Sequence, residues 1–216
     1  MAPSAGHSLL LWSLLSILTL GGFSGGQNST LIFTKDNITH NCSCSTDVRD
    51  CEYTLASLLC TCHTVLPLEG QGTSFSHRLT VWFTDASALG LLSNFTLVRD
   101  LKLSQCGANP LPPVYLAICG LERLRVAAEA WRPAPEQSLL IREGQDRETR
   151  GEPVSPGRKL CRDISFLDVT LFNRDSSLKS YSIENVTSIT SDFPELSILD
   201  TVSIPNHDSY VVTFIY

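Results

Sequence analysis

Residues Asn94–Ser104 read NFTLVRDLKLS. Val98, Leu101 and Leu103 in this stretch follow an apolar-x-x-apolar-x-apolar pattern. The Leu101-x-Leu103 pair places two side chains on one face of an extended chain, so a β-strand is expected. The same spacing recurs at Leu121, Leu124 and Val126, at Leu178, Tyr181 and Ile183, and at Leu199, Val202 and Ile204. Leu79 and Val81 give a partial match. The steps between middle positions are 22 (79 to 101), 23 (101 to 124) and 21 (181 to 202) residues, which fall within the period of leucine-rich repeats. Such a repeat stacks short parallel strands, each burying a face on its neighbour. The repeat's Asn/Cys position is filled here by Thr84, Cys106, Glu129, Val186 and His207, of which only Cys106 fits well. Regularly spaced short strands also occur in other β-rich proteins.

The expected fold is therefore mainly β with short helices. A Cys-rich N-terminal cap is followed by a leucine-rich-repeat-like β stack, with an irregular β-sandwich as the alternative. If the strands stack, the open sheet face is the natural binding surface. Lys102, Arg125 and Ser182 are expected to be exposed on it. Leu79–Phe83, Phe95–Val98, Ile164–Phe172 and Tyr210–Tyr216 read as strands, and helical periodicity is confined to short stretches such as Tyr53–Leu59.

The chain has 216 residues, with 16 Lys and Arg against 22 Asp and Glu, for a net charge of -6. An acidic chain without a Lys/Arg cluster is not expected to bind nucleic acid, which calls for a basic patch. The 43% hydrophobic and 18% charged content is that of an ordinary globular domain rather than a disordered chain. The expected organisation is a signal peptide over 1–26, a Cys-rich cap over 27–66 and a β-rich repeat-like region over 67–130. An exposed loop over 131–160 and a C-terminal β-rich region over 161–216, packed on the same domain, complete it.

Leu9–Leu20 reads LLLWSLLSILTL and is uncharged. It is shorter than the about 20 apolar residues of a membrane span. It fits the h-region of a secretory signal peptide, with small residues after it and cleavage expected near Gly26/Gln27. The n-region lacks Lys and Arg. No later apolar run is long enough for a transmembrane segment. Five Asn-X-Ser/Thr sequons, at Asn28, Asn37, Asn41, Asn94 and Asn185, agree with secretion and are the expected glycosylation sites. Asn41 is the least favourable, because its middle residue is Cys42.

All eight cysteines follow the signal peptide: Cys42, Cys44, Cys51, Cys60, Cys62, Cys106, Cys119 and Cys161. An even count in an oxidising compartment reads as four disulfides. Bridges are expected between the two C-x-C pairs, or from Cys51 to one of them. Cys106 with Cys119 would close a loop worth about 3 kcal/mol. Zinc at Cys42, Cys44, Cys60, Cys62 and His63 is disfavoured, because structural zinc sites place two to four residues between paired cysteines. A catalytic thiol would need an unpaired cysteine beside a base.

Trp131–Lys159 is rich in Pro, Gly and charge and reads as a loop, although Ser138–Ile141 is strand-like and suited to dock on the body. Within it, Arg147–Arg150 is a minimal basic cleavage pattern, which would suit a secreted ligand or cytokine-like factor processed at Arg150. No catalytic motif of a known hydrolase, metalloprotease or nucleotide-binding type occurs. No enzyme activity, catalytic residue, metal or cofactor is therefore expected.

Several strings resemble one family: NCSCSTDVRDC (Asn41–Cys51), LTVWFTDASALG (Leu79–Gly90), NFTLVRDLKLS (Asn94–Ser104), YLAICGL (Tyr115–Leu121), SLKSYSIEN (Ser177–Asn185) and SYVVTFIY (Ser209–Tyr216). They are similar to the vertebrate exosomal polycystin-interacting proteins over nearly the whole chain. The resemblance implies a secreted, vesicle-associated glycoprotein of extracellular vesicles and secretory-pathway vesicles. It also implies a polycystin ectodomain as partner, and a role in sequestering and exporting senescent mitochondria.

Overall fold

In the computed structural model, the chain is described at residues 29–33, 38–46, 48–65, 74–85, 89, 92, 95–128, 135–143, 161–173, 177–196 and 209–216. The expected signal peptide lies outside these residues, as do Asn28, Asn37, Asn94 and the Arg147–Arg150 pattern.

The stretch around Leu101 forms the hub. It is strand β5 (Thr96–Gln105), with β4 (Ser74–Phe83) parallel on one side. On the other side β5 divides its partners. Thr96 and Leu97 pair with β6 (Tyr115–Cys119), and Asp100–Ser104 pair with β7 (Arg123–Ala127), both parallel. Strand β8 (Gln137–Leu140) adds antiparallel to β7, so part of the stretch read as loop is built into the sheet. Beyond β4 lie β1 (Ser29–Phe33), β2 (Thr39–Cys44) and β3 (Cys60–Val65). Beyond β6 lie β9 (Asp163–Asp168), β11 (Tyr210–Ile215) and β10 (Ser180–Val186). The main path runs β10-β11-β9-β6-β5-β4-β1-β2-β3 in one mixed sheet of 11 strands among the described residues. Helix α1 (Tyr53–Leu59) links β2 to β3, and a short α2 (Ile189–Asp192) follows β10.

The spacing near 22 residues has a physical counterpart in one part of the sheet. Leu79, Leu101 and Leu124 are register partners on β4, β5 and β7, and so are Val81, Leu103 and Val126. Their side chains form the centre of the largest core cluster, together with Phe83 and Leu121. A leucine-rich stack does not describe the whole sheet. Tyr181 and Ile183 lie on β10, which runs antiparallel to β11 at the sheet margin. Leu199, Val202 and Ile204 lie outside the described residues. The apolar spacing alone does not distinguish an inner parallel strand from a marginal one.

The Cys-rich segment is not a separate cap on a strand stack. β1 pairs parallel with β4, and β2 and β3 continue the sheet from it. Helix α1 lies over a face: Ala56 packs with Ile32, Cys42 and Trp82 in a small core cluster, and the Tyr53 ring meets Trp82 edge-on at 5.7 Å. Ile164–Phe172, read as one strand, divides into β9 and a 3-10 helix, Val169–Asn173, where buried Val169, Leu171 and Phe172 face the core. A third cluster, including Ile164, Phe166, Val212 and Phe214, covers one face of β9 and β11 under Ile189, Phe193 and Leu196.

Candidate binding surface

Four disulfides set which parts of the surface are held. Cys42–Cys62 and Cys44–Cys60 join directly opposed residues of β2 and β3, with Cα atoms 4.0 and 4.2 Å apart. Both lie on the same side of the hairpin, because positions two apart share a face. Cys51–Cys106 ties the turn before α1 to the end of β5. Cys119–Cys161 ties β6 to the start of β9. The expected Cys106–Cys119 bond is not formed. Cys106 lies at the end of β5 beneath α1, whereas Cys119 is paired in β6 beside Ile164 of β9. The C-x-C sulfurs are spent on one another, and no described group of three or more His, Cys, Asp or Glu is placed to hold a metal ion. No described helix is long and apolar enough to cross a membrane.

The face opposite the Leu79–Leu101–Leu124 row carries charge. Lys102 and Arg125 are register partners there. Neither is the free binding residue expected from sequence, since their side chains are only 19% and 15% exposed. Lys102 Nζ lies 2.8 Å from Asp50 and 2.6 Å from Glu136. Arg125 Nη2 lies 2.7 Å from Asp100, which also receives Arg78 Nε at 3.2 Å. Ser104 Oγ donates to Asp50 at 3.0 Å. The three cations meet three carboxylates, so their charges are answered inside the fold. Burial pulls the Lys102 pKa down, but hydrogen bonds and charge from Asp50 and Glu136 outweigh it and leave the value raised. Ser182 is exposed, yet its Oγ pairs with Thr213 Oγ1 at 2.6 Å.

A different surface is uncommitted. On the face of β10, β11 and β6 that carries Phe214, Tyr181 stacks on Phe214 at 5.1 Å and on Tyr216 at 6.1 Å. Tyr181 is 49% and Tyr216 39% exposed. The Tyr216 hydroxyl donates to the Tyr181 oxygen at 3.5 Å. That bond, then burial and the neighbouring Tyr181, Tyr115 and Asp168, push the Tyr216 pKa up to about 12. Tyr115 is raised by burial first and then by Asp168 and Tyr181. The three tyrosines thus form an aromatic patch beside one carboxylate, Asp168. The spacing pattern touched Tyr181 and no more. A local excess of tyrosine in Tyr181, Tyr210 and Tyr216 is the signal that points to it. A second apolar patch, Leu55, Leu58 and Leu59 on α1, lies toward the β3 margin of the sheet, with Leu58 78% exposed.

Of the sequons within the described residues, Asn41 lies mid-sheet, flanked by Leu31 on β1 and His63 on β3. Its neighbour Cys42 is buried and bridged. Asn185 is exposed on β10.

These features define a disulfide-braced, mixed-sheet protein in which Lys102 and Arg125 are internally paired and Tyr181 and Tyr216 are exposed. The chain belongs to the exosomal polycystin 1 interacting protein family, whose model matches residues 2–216, essentially the whole chain. The family is described by a partner and a vesicle compartment, not by a reaction. No solved structure matches the chain.

Proposed function

We propose that the protein is a secreted, disulfide-stapled glycoprotein associated with extracellular vesicles, and that it binds the polycystin 1 ectodomain through the Tyr115–Tyr181–Tyr216 patch. Residues 1–26 direct it into the secretory pathway, and its glycans include one on Asn185. Whole-chain membership of a family described as exosomal and polycystin 1 interacting carries this reading. The resemblance extends it to the sequestration and export of senescent mitochondria.

The tyrosine patch is favoured over the α1 leucines on energetic grounds. Tyrosine buries a large rigid ring at low entropic cost and dominates interface hot spots, where leucine is under-represented. Lys102 and Arg125 are disfavoured as anchors, because a partner would first have to break their ion pairs.

Binding of purified polycystin 1 ectodomain to immobilised protein tests both parts. Tyr181→Ser with Tyr216→Ser is expected to weaken binding at least tenfold, about 1.4 kcal/mol. Leu58→Asp is expected to leave it unchanged. An unmodified protein that does not bind removes the partner. Loss with Leu58→Asp but not with the tyrosine variant moves the surface to α1.

A further inference from the structure

Among the described residues the sheet ends at three edge strands, β3, β8 and β10, and β10 is the most exposed of them. Six of its seven residues are exposed, including Tyr181 and Ile183. It pairs with β11 alone among the described residues. An exposed strand edge carrying apolar side chains is a template for pairing with another chain, and proteins blunt such edges with charge, proline, bulges or cover. β10 has one charge, Glu184, no proline, and a register shift between Ile183 and Val186. Asn185 falls inside that shift with φ 59, in the left-handed region that asparagine tolerates better than most residues.

The sequon Asn185-Val186-Thr187 is laid out as an acceptor. Val186 is buried in the core cluster under α2, while Asn185 and Thr187 on either side of it are both exposed. The buried residue pins the strand end and presents the two recognition side chains to solvent.

We propose that an N-glycan on Asn185 is the guard of this edge, keeping β10 from pairing with β10 of a second copy. The inference rests on the secreted-glycoprotein reading above. In the transfer step the Asn185 amide nitrogen attacks the anomeric carbon of a lipid diphosphate-linked oligosaccharide. The nitrogen–carbon bond forms as the nitrogen loses a proton, and the sugar–phosphate bond breaks to release the lipid diphosphate. A paired strand would have to approach to about 4.8 Å, a gap that a branched oligosaccharide rooted on the edge strand fills. The tyrosine stack lies at the opposite end of β10, so the guard leaves the proposed partner surface accessible.

The test uses the full chain secreted from cultured cells. Peptide mapping reports occupancy of Asn185, and sedimentation velocity at micromolar concentration reports mass. Glycosylated protein is expected to sediment as a single copy. Thr187→Ala, which keeps the asparagine and its backbone conformation, is expected to at least double the mass. Adding Ile183→Lys is expected to restore the single-copy value. Trimming the glycan from already folded protein with an endoglycosidase is expected to reproduce the association without any substitution. An occupied Asn185 with unchanged mass after trimming and in Thr187→Ala overturns the guard and leaves the glycoprotein reading standing. Association that Ile183→Lys does not reverse overturns the assignment to β10. An unmodified Asn185 in secreted protein overturns the glycan on this residue and the guard with it.

Discussion

Replacing Cys51 and Cys106 together by serine measures how the α1 segment is held to the sheet. The bond spans 55 residues, the longest separation of the four. In the chain-entropy account its removal costs about 4 kcal/mol through the freed unfolded chain. The positive φ at Cys51, 67°, is equally awkward for serine, so the substitution adds no backbone penalty of its own. For a chain of this size about 4 kcal/mol corresponds to a Tm lowered by roughly 8–16 °C. Calorimetry without reductant reads the shift, after peptide mapping has verified the other three bonds. Hydrogen exchange should show a global loss of protection in the sheet, because the cost is carried by the unfolded chain, with a further local loss in α1, where Asp50, beside Cys51, supplies the contacts to Lys102 and Ser104. A drop equivalent to under about 1 kcal/mol would refute the reasoning. It would mean that packing of Ala56 and Tyr53 on Trp82 holds the segment without the bond.

The two hairpin bonds are nested, so Cys44→Ser with Cys60→Ser is expected to cost only about 2 kcal/mol by urea denaturation, since Cys42–Cys62 still closes the loop. Gly107→Ala places a Cβ 2.1 Å from the Thr84 carbonyl oxygen, and is expected to cost about 1–3 kcal/mol in the same assay. Lys102→Met leaves Asp50 and Glu136 without their shared ammonium and is expected to cost about 1–3 kcal/mol at neutral pH. Because the folded pKa of Lys102 is raised above 10.5, that contribution is complete below pH 10.5 and disappears as pH climbs through the folded value, so the unmodified and Lys102→Met urea midpoints should converge only in strong alkali. Spectrophotometric titration should show Tyr216 ionising near pH 12, and Tyr181→Phe, which removes the oxygen that accepts its hydrogen bond, should bring it back toward 10.

The legible part of the fold is the part where side-chain period and strand pairing coincide. Leu101 and Leu103 lie two apart, and their partners Leu79, Val81, Leu124 and Val126 lie one repeat away, so the sequence displays both directions of the lattice. Helix Tyr53–Leu59 is legible for a different reason, its own short-range periodicity. The hairpin strands THNCSC and CTCHTV have little apolar alternation. Their cohesion comes from opposed cysteines and from β1, which no local window contains. Val169–Asn173 is as apolar as the strand before it, and its turn depends on contacts such as the paired bonds between Leu111 and the Asn173 amide, 62 residues apart. Lys102 and Arg125 looked available because strand charges usually face water. Their partners Asp50 and Glu136 come from segments whose approach depends on the completed sheet.

The covalent and electrostatic ties converge on one junction. Cys51 and Asp50 are adjacent in the chain, and Cys106 and Ser104 lie within two residues at the end of β5. The same short contact therefore carries a disulfide, a hydrogen bond and the ammonium of Lys102. Glu136 brings the start of β8 to that ammonium from the other side. Three of the four bridges lie between Cys42 and Cys106, whereas β10 is held by one neighbouring strand, the buried Val186 and aromatic stacking. Strength is thus concentrated away from the tyrosine patch. A partner meeting Tyr181 and Tyr216 contacts side chains whose displacement breaks no disulfide and no ion pair, while the same contact on Lys102 would have to open the junction that fastens the N-terminal segment to the sheet.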